Sequence, residues 1–231
     1  MKPAGRERAE LSRERILAAA LELIDQRGLA ALNMRDLGRA LGASTMGVYR
    51  HFRNKSDLLG AVVDSILETF APQENQGDWR AQAKAMSLRV RGAMLAHPEL
   101  ADLIGREFRR SPTSFRVNAL MIDRLRGAGV PDALLPDAFW AIASYTNGYA
   151  LLEAQTLRRR RGSAGSGSGP DRVRKLAAMF EGVEDLDPDV SRAAAAVLAR
   201  PINDAQFEFG LACLIRGIED RIRAAGGQSE A

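Results

Sequence analysis

A cluster of basic side chains between residues 33 and 55 is the part of this sequence best suited to binding chemistry. The segment carries five cations and one anion, Asp36. The cations are Arg35, Arg39, Arg50, Arg53 and Lys55. Their excess of four charges equals the formal net charge of the whole chain, +4, so the remaining residues sum to zero. A local basic surface on a near-neutral body suits a polyanion such as DNA, although a solvated helical hairpin would show the same charge count.

Residues that could support catalysis are scarce. The chain has one cysteine, Cys213, and two histidines, which excludes an internal disulfide and leaves no metal-binding cluster of recognisable spacing. The sequence also shows no nucleophile–base set and no phosphate-binding loop. We therefore predict that the protein is not an enzyme and needs no cofactor or metal.

The basic cluster falls on a predicted helix–turn–helix unit. Residues that can cap a helix N-terminus precede three segments: Asn33, Ser44 or Thr45, and Asn54. Gly42 follows the first of these helices, where a C-terminus favours glycine. In the second helix Val48 and Phe52 are four residues apart and can face inward. The outward-facing residues are then Thr45, Met46, Tyr49 and Arg50. Because the DNA major groove accepts a short helix with such an outer face, the turn, caps and stripe together favour DNA binding.

The composition is typical of a globular protein. With 231 residues, 46% hydrophobic and 27% charged, the chain can form one large domain or two small ones. It has no apolar run approaching the ~20 residues that span a bilayer. Its first residues, MKPAGRERAELSRER, are charged and lack the apolar core of a secretion signal. We therefore expect a cytoplasmic protein.

Apolar residues recur at helical spacing along most of the chain, which predicts an all-α fold. Among the C-terminal helices, one is expected to begin at Pro98 and a long one at Asp132. The Gly- and Ser-rich residues 162–169 predict a flexible loop, either natural or engineered. The predicted organisation is a flexible tail at 1–10, a helix–turn–helix DNA-binding domain at 11–70, a helical regulatory and dimerisation domain at 71–224, and a flexible tail at 225–231.

Three stretches closely resemble the N-terminal domain of the TetR family of bacterial transcriptional regulators. They are GLAALNMRDLGRALG at 28–42, VYRHF at 48–52 and NKSDLL at 54–59. This resemblance covers about a quarter of the chain, from Leu11 to Asp64. The rest resembles the all-helical C-terminal domain of the subgroup nearest the tetracycline repressor, chiefly through FEFGLACLIRGIEDRI at 207–222. The resemblance implies a homodimer whose two recognition helices enter successive major grooves of a palindromic operator.

The resemblance also implies a role for individual residues. At positions where the family touches base edges, this chain has Arg35, Thr45, Met46 and Gly47. At positions where the family holds phosphates, it has Tyr49, His51 and Lys55. A guanidinium can donate twice to guanine, and phenol, imidazole and ammonium groups can donate to phosphate. Gly47 departs from the pattern because it has no side chain, and we expect it to let the backbone approach the duplex. His51 fits a packed core histidine equally well.

In this family the signal is usually a small molecule bound in the C-terminal domain, so the resemblance implies a pocket there. The candidate lining residues are Met86, Met94, His97, Phe108, Phe115, Phe139, Trp140, Tyr145, Asn147 and Tyr149. His97 and Asn147 could be its polar anchors. By spacing, each candidate also fits an ordinary core position. The metal of the tetracycline-binding members is not carried over, because this chain has no suitable histidine set.

Two amphipathic helices, at 132–158 and 202–224, are expected to form a four-helix interface with their symmetry mates. On the second helix the predicted interface residues are Phe207, Leu211, Leu214, Ile218 and Ile222. The same stripe could instead belong to the core of one chain. The resulting hypothesis is a ligand-responsive repressor that binds a DNA operator as a homodimer. A DNA-binding dimer without an effector, or an activator, is the alternative.

Overall fold

The computed structural model describes most of the chain. The described residues are 11–71, 78–107, 110–162, 169–181, 183, 186–200 and 202–227. Within these ranges the backbone forms eleven α-helices and no strand, which confirms the predicted all-α fold. A search of the same residues finds no helix long and apolar enough to cross a membrane. The predicted tail at 1–10 and most of the predicted loop at 162–169 lie outside the described residues.

The first four helices form the N-terminal head of the molecule. They are α1 (Arg13–Arg27), α2 (Met34–Ala40), α3 (Thr45–Tyr49) and α4 (Lys55–Glu68). Each begins at a side-chain cap that accepts from the backbone N–H three residues further on, which satisfies a donor that the helix leaves unpaired. The capping residues are Ser12, Asn33, Ser44 and Asn54, so Ser44 rather than Thr45 caps α3. After α1 the chain turns at Gly28, whose φ of 82° lies in the region that favours glycine.

The next four helices form most of the body. They are α5 (Trp79–Ala96), α6 (Ala101–Glu107), α7 (Pro112–Gly127) and α8 (Leu135–Gly162). The predicted starts at Pro98 and Asp132 are wrong by three residues each. In both places a tighter turn precedes the helix: the Leu100 N–H donates to the His97 carbonyl, and the Leu134 N–H donates to the Pro131 carbonyl.

Three further helices complete the described structure. They are α9 (Gly169–Glu181), α10 (Pro188–Ala199) and α11 (Asp204–Gly227). Helices α9 and α10 pack against each other, whereas α11 packs against α8. The head is joined to the body because α4 packs against α6 and α7. The structure therefore links the end of the head directly to helices of the body.

A buried arginine ties α5, α8 and α11 together. Two guanidinium nitrogens of Arg91 donate to the Glu153 carboxylate, each at 2.7 Å, and one also donates to Asp204 at 2.6 Å. The hydrogen bonds to Glu153 are the main reason why the pKa of Arg91 is raised. The guanidinium carbon lies 4.9 Å from the centroid of the Phe207 ring, within the range of a cation–π contact.

Two tyrosines of α8, which also contact the Phe207 ring, hold α11 by hydrogen bonds. The Tyr145 hydroxyl donates to the Phe207 carbonyl at 2.9 Å, and the Tyr149 hydroxyl donates to the Asn203 carbonyl at 2.9 Å. Burial raises the pKa of both phenols, so both stay protonated as donors. Helix α11 comes so close that a Cβ at Gly210 would lie 2.2 Å from the Tyr145 hydroxyl oxygen. A larger residue at this position would require the Tyr145 side chain to move.

These contacts correct part of the predicted dimer interface. Phe207 and Leu211 are 0% and 1% exposed within one chain, so they have no surface left to offer a partner. Ile218 is also buried. The physical reason is that α11 directs its apolar stripe at α8 and α5 of its own chain. Leu214 and Ile222 are only half-buried and stay predictions.

Replacing Arg91 with alanine tests the contribution of this network. The Arg91→Ala change should lower the free energy of unfolding by about 3–5 kcal/mol, because it leaves the largely buried Glu153 carboxylate without its cation. Urea unfolding followed by circular dichroism, at one fixed protein concentration, measures the change.

The matched control is Arg223→Ala, since the Arg223 side chain is 70% exposed beside Glu219 and Asp220. The Arg223→Ala change should alter the free energy of unfolding by no more than about 0.5 kcal/mol. Equal effects of the two substitutions would show that the Arg91 network does not anchor α11.

Candidate DNA-binding surface and effector cavity

Helix α3 is short, and its orientation is fixed by two buried side chains. Val48 is 0% exposed and Phe52, just after the helix, is 1% exposed, so both point into the head. Met46 and Tyr49 are 68% and 43% exposed on the other side. The predicted inward face of α3 is therefore confirmed, and so is the outward direction of Met46, Tyr49 and Arg50, whereas Thr45 is half-buried. The DNA contacts assigned to the outward face stay predictions.

Arg35 is the cation of α2 best placed to meet a ligand. Its neighbour Arg39 is 2.7 Å from the Asp36 carboxylate and is partly neutralised by it. A hydrogen bond from the Asn33 amide is the main reason why the pKa of Asp36 is lowered, so this carboxylate stays charged at neutral pH. Arg35 is exposed, and among the described residues no carboxylate pairs with it. Its full charge and both donor edges are thus available to a base or a phosphate.

Gly47 has a packing role that the sequence did not reveal. A Cβ at this position would lie 3.2 Å from Leu11 Cδ2, closer than side-chain atoms normally approach. Position 47 therefore faces the chain just before α1 and not the exposed side of α3. Of the four predicted base contacts, it is the one that this geometry favours least.

The predicted phosphate donors lie around the end of α3 and the start of α4. Tyr49 is exposed, whereas His51 and Lys55 are half-buried. The Lys55 ammonium donates to the Leu29 carbonyl at 3.4 Å, which leaves two of its three protons for a phosphate. The ring of His51 is near enough to Glu14 to help lower the pKa of that carboxyl, after hydrogen bonds to its own backbone and to Ser12.

Arg13 belongs to the same surface and was missed in the sequence. Its guanidinium donates to the His51 carbonyl at 3.5 Å and stacks 4.4 Å from the centroid of the Phe52 ring. This brings the first turn of α1 beside the end of α3. No sequence spacing connects positions 13 and 51, so only the packed fold could show the proximity.

A small cavity lies in the body between α5, α7 and α8, with a volume of about 30 Å³. Its lining residues are Met86, Ser87, Val90, Asn118, Met121, Leu125, Phe139, Ile142, Ala143, Thr146 and Asn147. Only Met86, Phe139 and Asn147 were predicted. The others share no sequence signal beyond helical periodicity, because the cavity depends on how three helices meet.

The remaining candidates within the described residues do not line this cavity. Met94 is fully buried in the core, while Phe115 and Trp140 are 58% and 43% exposed. Tyr145 and Tyr149 are engaged with α11, as described above. Phe108 lies outside the described residues.

His97 is a contact between the body and the head, not a cavity residue. Its Nδ1 lies 2.8 Å from the Asp25 carboxylate of α1. The other Asp25 oxygen is buried and has no hydrogen-bond partner in the described part of the chain. Since His97 follows directly after α5, this contact connects a wall of the cavity to the first helix of the head. The same described residues contain no group of three or more ligating side chains that could hold a metal ion.

Comparison with known proteins gives two family matches that together span most of the chain. Residues 16–62 match the family described as bacterial regulatory proteins, tetR family. Residues 71–222 match the family described as tetracyclin repressor-like, C-terminal domain. The tetracycline repressor protein class G of Vibrio anguillarum is 31% identical over 228 residues, covering 94% of this chain and 97% of that protein.

Solved structures show the same fold. ActR from Streptomyces coelicolor, in complex with actinorhodin, has a TM-score of 0.70 and 26% identity, covering 91% of this chain and 96% of that one. BioQ with its natural double-stranded DNA operator has a TM-score of 0.59 and 27% identity, covering 90% of this chain and 98% of that one.

Arg35→Ala tests whether this side chain reads a base. On a duplex selected from a random library, the change should cost ~1–3 kcal/mol and relax the preference at one base position. Equilibrium binding to the selected duplex and its single-base variants measures both effects. Arg192→Ala, which removes an exposed arginine of α10, should change neither. An equal loss on every duplex would make Arg35 a phosphate contact.

Lys55→Ala tests the phosphate assignment. Losing one ammonium–phosphate contact should weaken binding to all duplexes alike and flatten the plot of log affinity against log salt by about one unit of slope. Titrations at several salt concentrations measure the slope. Lys175→Ala, on the exposed side of α9, is the matched control. An unchanged slope for Lys55→Ala would contradict the assignment.

Proposed function

This chain belongs to the TetR family of bacterial transcriptional regulators, and on that premise we propose that it is a repressor that binds a palindromic operator as a homodimer and is released by a small molecule. The family consists of DNA-binding regulators, which are not enzymes. We further propose that residues 11–70 form the DNA-binding domain and residues 71–224 the regulatory and dimerisation domain.

The observation that carries the DNA-binding role is the orientation of α3. A five-residue helix capped by Ser44 and held by Val48 presents Met46 and Tyr49 to solvent, with Arg35 exposed on the preceding helix. Arg35, Thr45 and Met46 would contact base edges, and Tyr49, His51 and Lys55 would hold phosphates. Arg13 is a further phosphate contact in this proposal, because it lies beside His51.

Dimerisation would place two α3 helices in successive major grooves, about 34–36 Å apart. Since Phe207 and Leu211 are already buried, the surface of α11 left for a partner includes Phe209, which is 74% exposed. On α8 the exposed apolar side chains include Leu152, at 56%. Large exposed apolar groups on two neighbouring helices are typical of a protein–protein interface, which supports an α8–α11 contact between protomers.

The effector would act because the walls of the cavity also hold the head. Helix α7 lines the cavity, and its Arg116 lies 3.6 Å from Glu68 of α4. Helix α5 lines the cavity too, and the residue after it, His97, contacts Asp25 of α1. A molecule larger than about 30 Å³ must displace side chains in the wall or push these helices apart, and a displacement of the helices would shift the spacing of the two heads. By linkage, the operator would weaken effector binding by the same factor.

The small volume of the cavity also favours a second candidate, a DNA-binding dimer with no effector. Binding sites for drug-sized molecules usually measure ~300–1,000 Å³, and this cavity must expand to reach that size. The two candidates differ in whether any compound that binds the body changes the affinity for the operator. Activation instead of repression would use the same DNA contacts.

Selection of duplexes by the full chain, together with the mass of the complex, tests the proposal. We expect an inverted repeat with half-sites about one helical turn apart, bound by two chains. Compounds that raise the melting temperature should then lower the affinity for the operator, since an effector binds preferentially to the released state. A selected site without symmetry would contradict the dimer. An operator affinity unchanged by every stabilising compound would contradict the effector.

A further inference from the structure

We infer that the cavity between α5, α7 and α8 recognises an uncharged, ring-containing molecule that carries at least one hydroxyl or N–H donor, through Ser87, Thr146 and Asn147. This inference rests on the proposed effector-responsive function, because it names the chemical class of the molecule that would occupy the cavity. It concerns side chains of α5 and α8 that line the same cavity, and it is independent of the DNA-binding surface.

The described lining of the cavity contains no ionisable side chain, and this favours an uncharged ligand. All eleven lining residues are apolar, hydroxyl or amide side chains. A charged group that entered this space would lose its hydration and find no opposite charge among them, which is strongly unfavourable. Arg89 donates to the sulfur of the lining residue Met86 at 3.8 Å, but Arg89 itself does not line the cavity. A neutral molecule is therefore expected.

Three polar atoms in the wall need hydrogen bonds. The Ser87 hydroxyl, the Thr146 hydroxyl and the Asn147 amide oxygen are buried and have no hydrogen-bond partner in the described part of the chain. Ser87 and Thr146 are only 1% and 2% exposed. Because unpaired buried polar atoms are costly, a molecule that bonds to any of them gains more than an apolar molecule of the same shape.

The orientation of Asn147 determines which group the molecule must bring. Its amide nitrogen donates to the Ala143 carbonyl at 2.8 Å, which fixes the amide so that the oxygen is the unpaired atom. That oxygen can only accept, so the molecule must supply an O–H or N–H. The two hydroxyls can donate or accept, and so they can bind a carbonyl or a second hydroxyl.

The other walls favour a ring that enters by displacing flexible side chains. Phe139 supplies an aromatic wall, and Met86 and Met121 can change rotamer to open the space. As it stands, the volume of about 30 Å³ holds little more than a water molecule, which could itself bridge the three polar atoms. The test must therefore distinguish a site for organic molecules from a hydrated gap.

Isothermal titration of the full-length protein at pH 7 with three naphthalenes makes this distinction. The probes are 2-naphthol, which is neutral and brings a donor, naphthalene, which brings none, and 2-naphthoate, which is an anion. We expect 2-naphthol to bind about tenfold more tightly than either of the others, since one satisfied buried hydrogen bond is worth roughly that ratio. Tight binding of 2-naphthoate would overturn the inference and point to Arg89 as the recognition group.

Two near-isosteric variants locate the effect. Asn147→Leu and Thr146→Val should reduce the affinity for 2-naphthol about tenfold and leave that for naphthalene unchanged or higher. The control is Thr156→Val on the same helix, because the Thr156 hydroxyl donates to the Leu152 carbonyl and does not line the cavity. This variant should bind all three probes as the parent does. If Asn147→Leu and Thr146→Val prefer 2-naphthol over naphthalene by the same ratio as the parent does, the inference fails.

The binding experiments distinguish an error in the inferred ligand chemistry from an error in the proposed function. If none of the three probes binds, the cavity is a hydrated gap and the inference is wrong, while operator binding by the chain is unaffected. If 2-naphthol binds with the expected preference but leaves the affinity for the operator unchanged, the recognition chemistry is supported. The proposed release mechanism would then be wrong.

Discussion

The burial of Val48 and Phe52 is the constraint on which the DNA-binding surface depends. A helix of five residues is not stable in isolation, since nucleation costs more than one turn of hydrogen bonds returns. Here the Ser44 cap and the two buried side chains hold α3 against the head, at 0% and 1% exposure. The same packing turns Met46 and Tyr49 outward. The proposed DNA contacts of Met46 and Tyr49 follow from that orientation.

The body places a second constraint on the molecule. Arg91 and Phe207 fix α11 against α5 and α8. The cavity lies between α5, α8 and α7. Because α5 and α7 also reach the head, through His97 and Arg116, a displacement of either helix would alter a contact with the head. The cavity and the head are thus connected by two helices and a contact near the end of each, which is the kind of physical connection that the proposed effector control requires.

The sequence predicts the local features of this fold better than its long-range ones. Caps such as Asn33 and Asn54 are correct because capping depends only on residues within one turn. The starts at Pro98 and Asp132 are wrong because a turn that competes with the first helical turn leaves no clear signal in composition. The apolar stripe that includes Phe207 shows that one face of α11 is buried. Periodicity cannot show whether that face packs against a partner chain or against other helices of its own chain. Ser87 and Asn118 could not be assigned to a cavity, because that requires knowing how the helices meet.

Methyl NMR of the methionines during titration with an operator duplex tests the central claim most directly. The chain has seven methionines, and Met46 and Met179 are both strongly exposed, on α3 and α9 respectively. If α3 lies against the bases, the Met46 methyl signal, assigned from Met46→Leu, should shift on binding while that of Met179 stays in place. A bound complex in which the Met46 signal does not move would contradict the account.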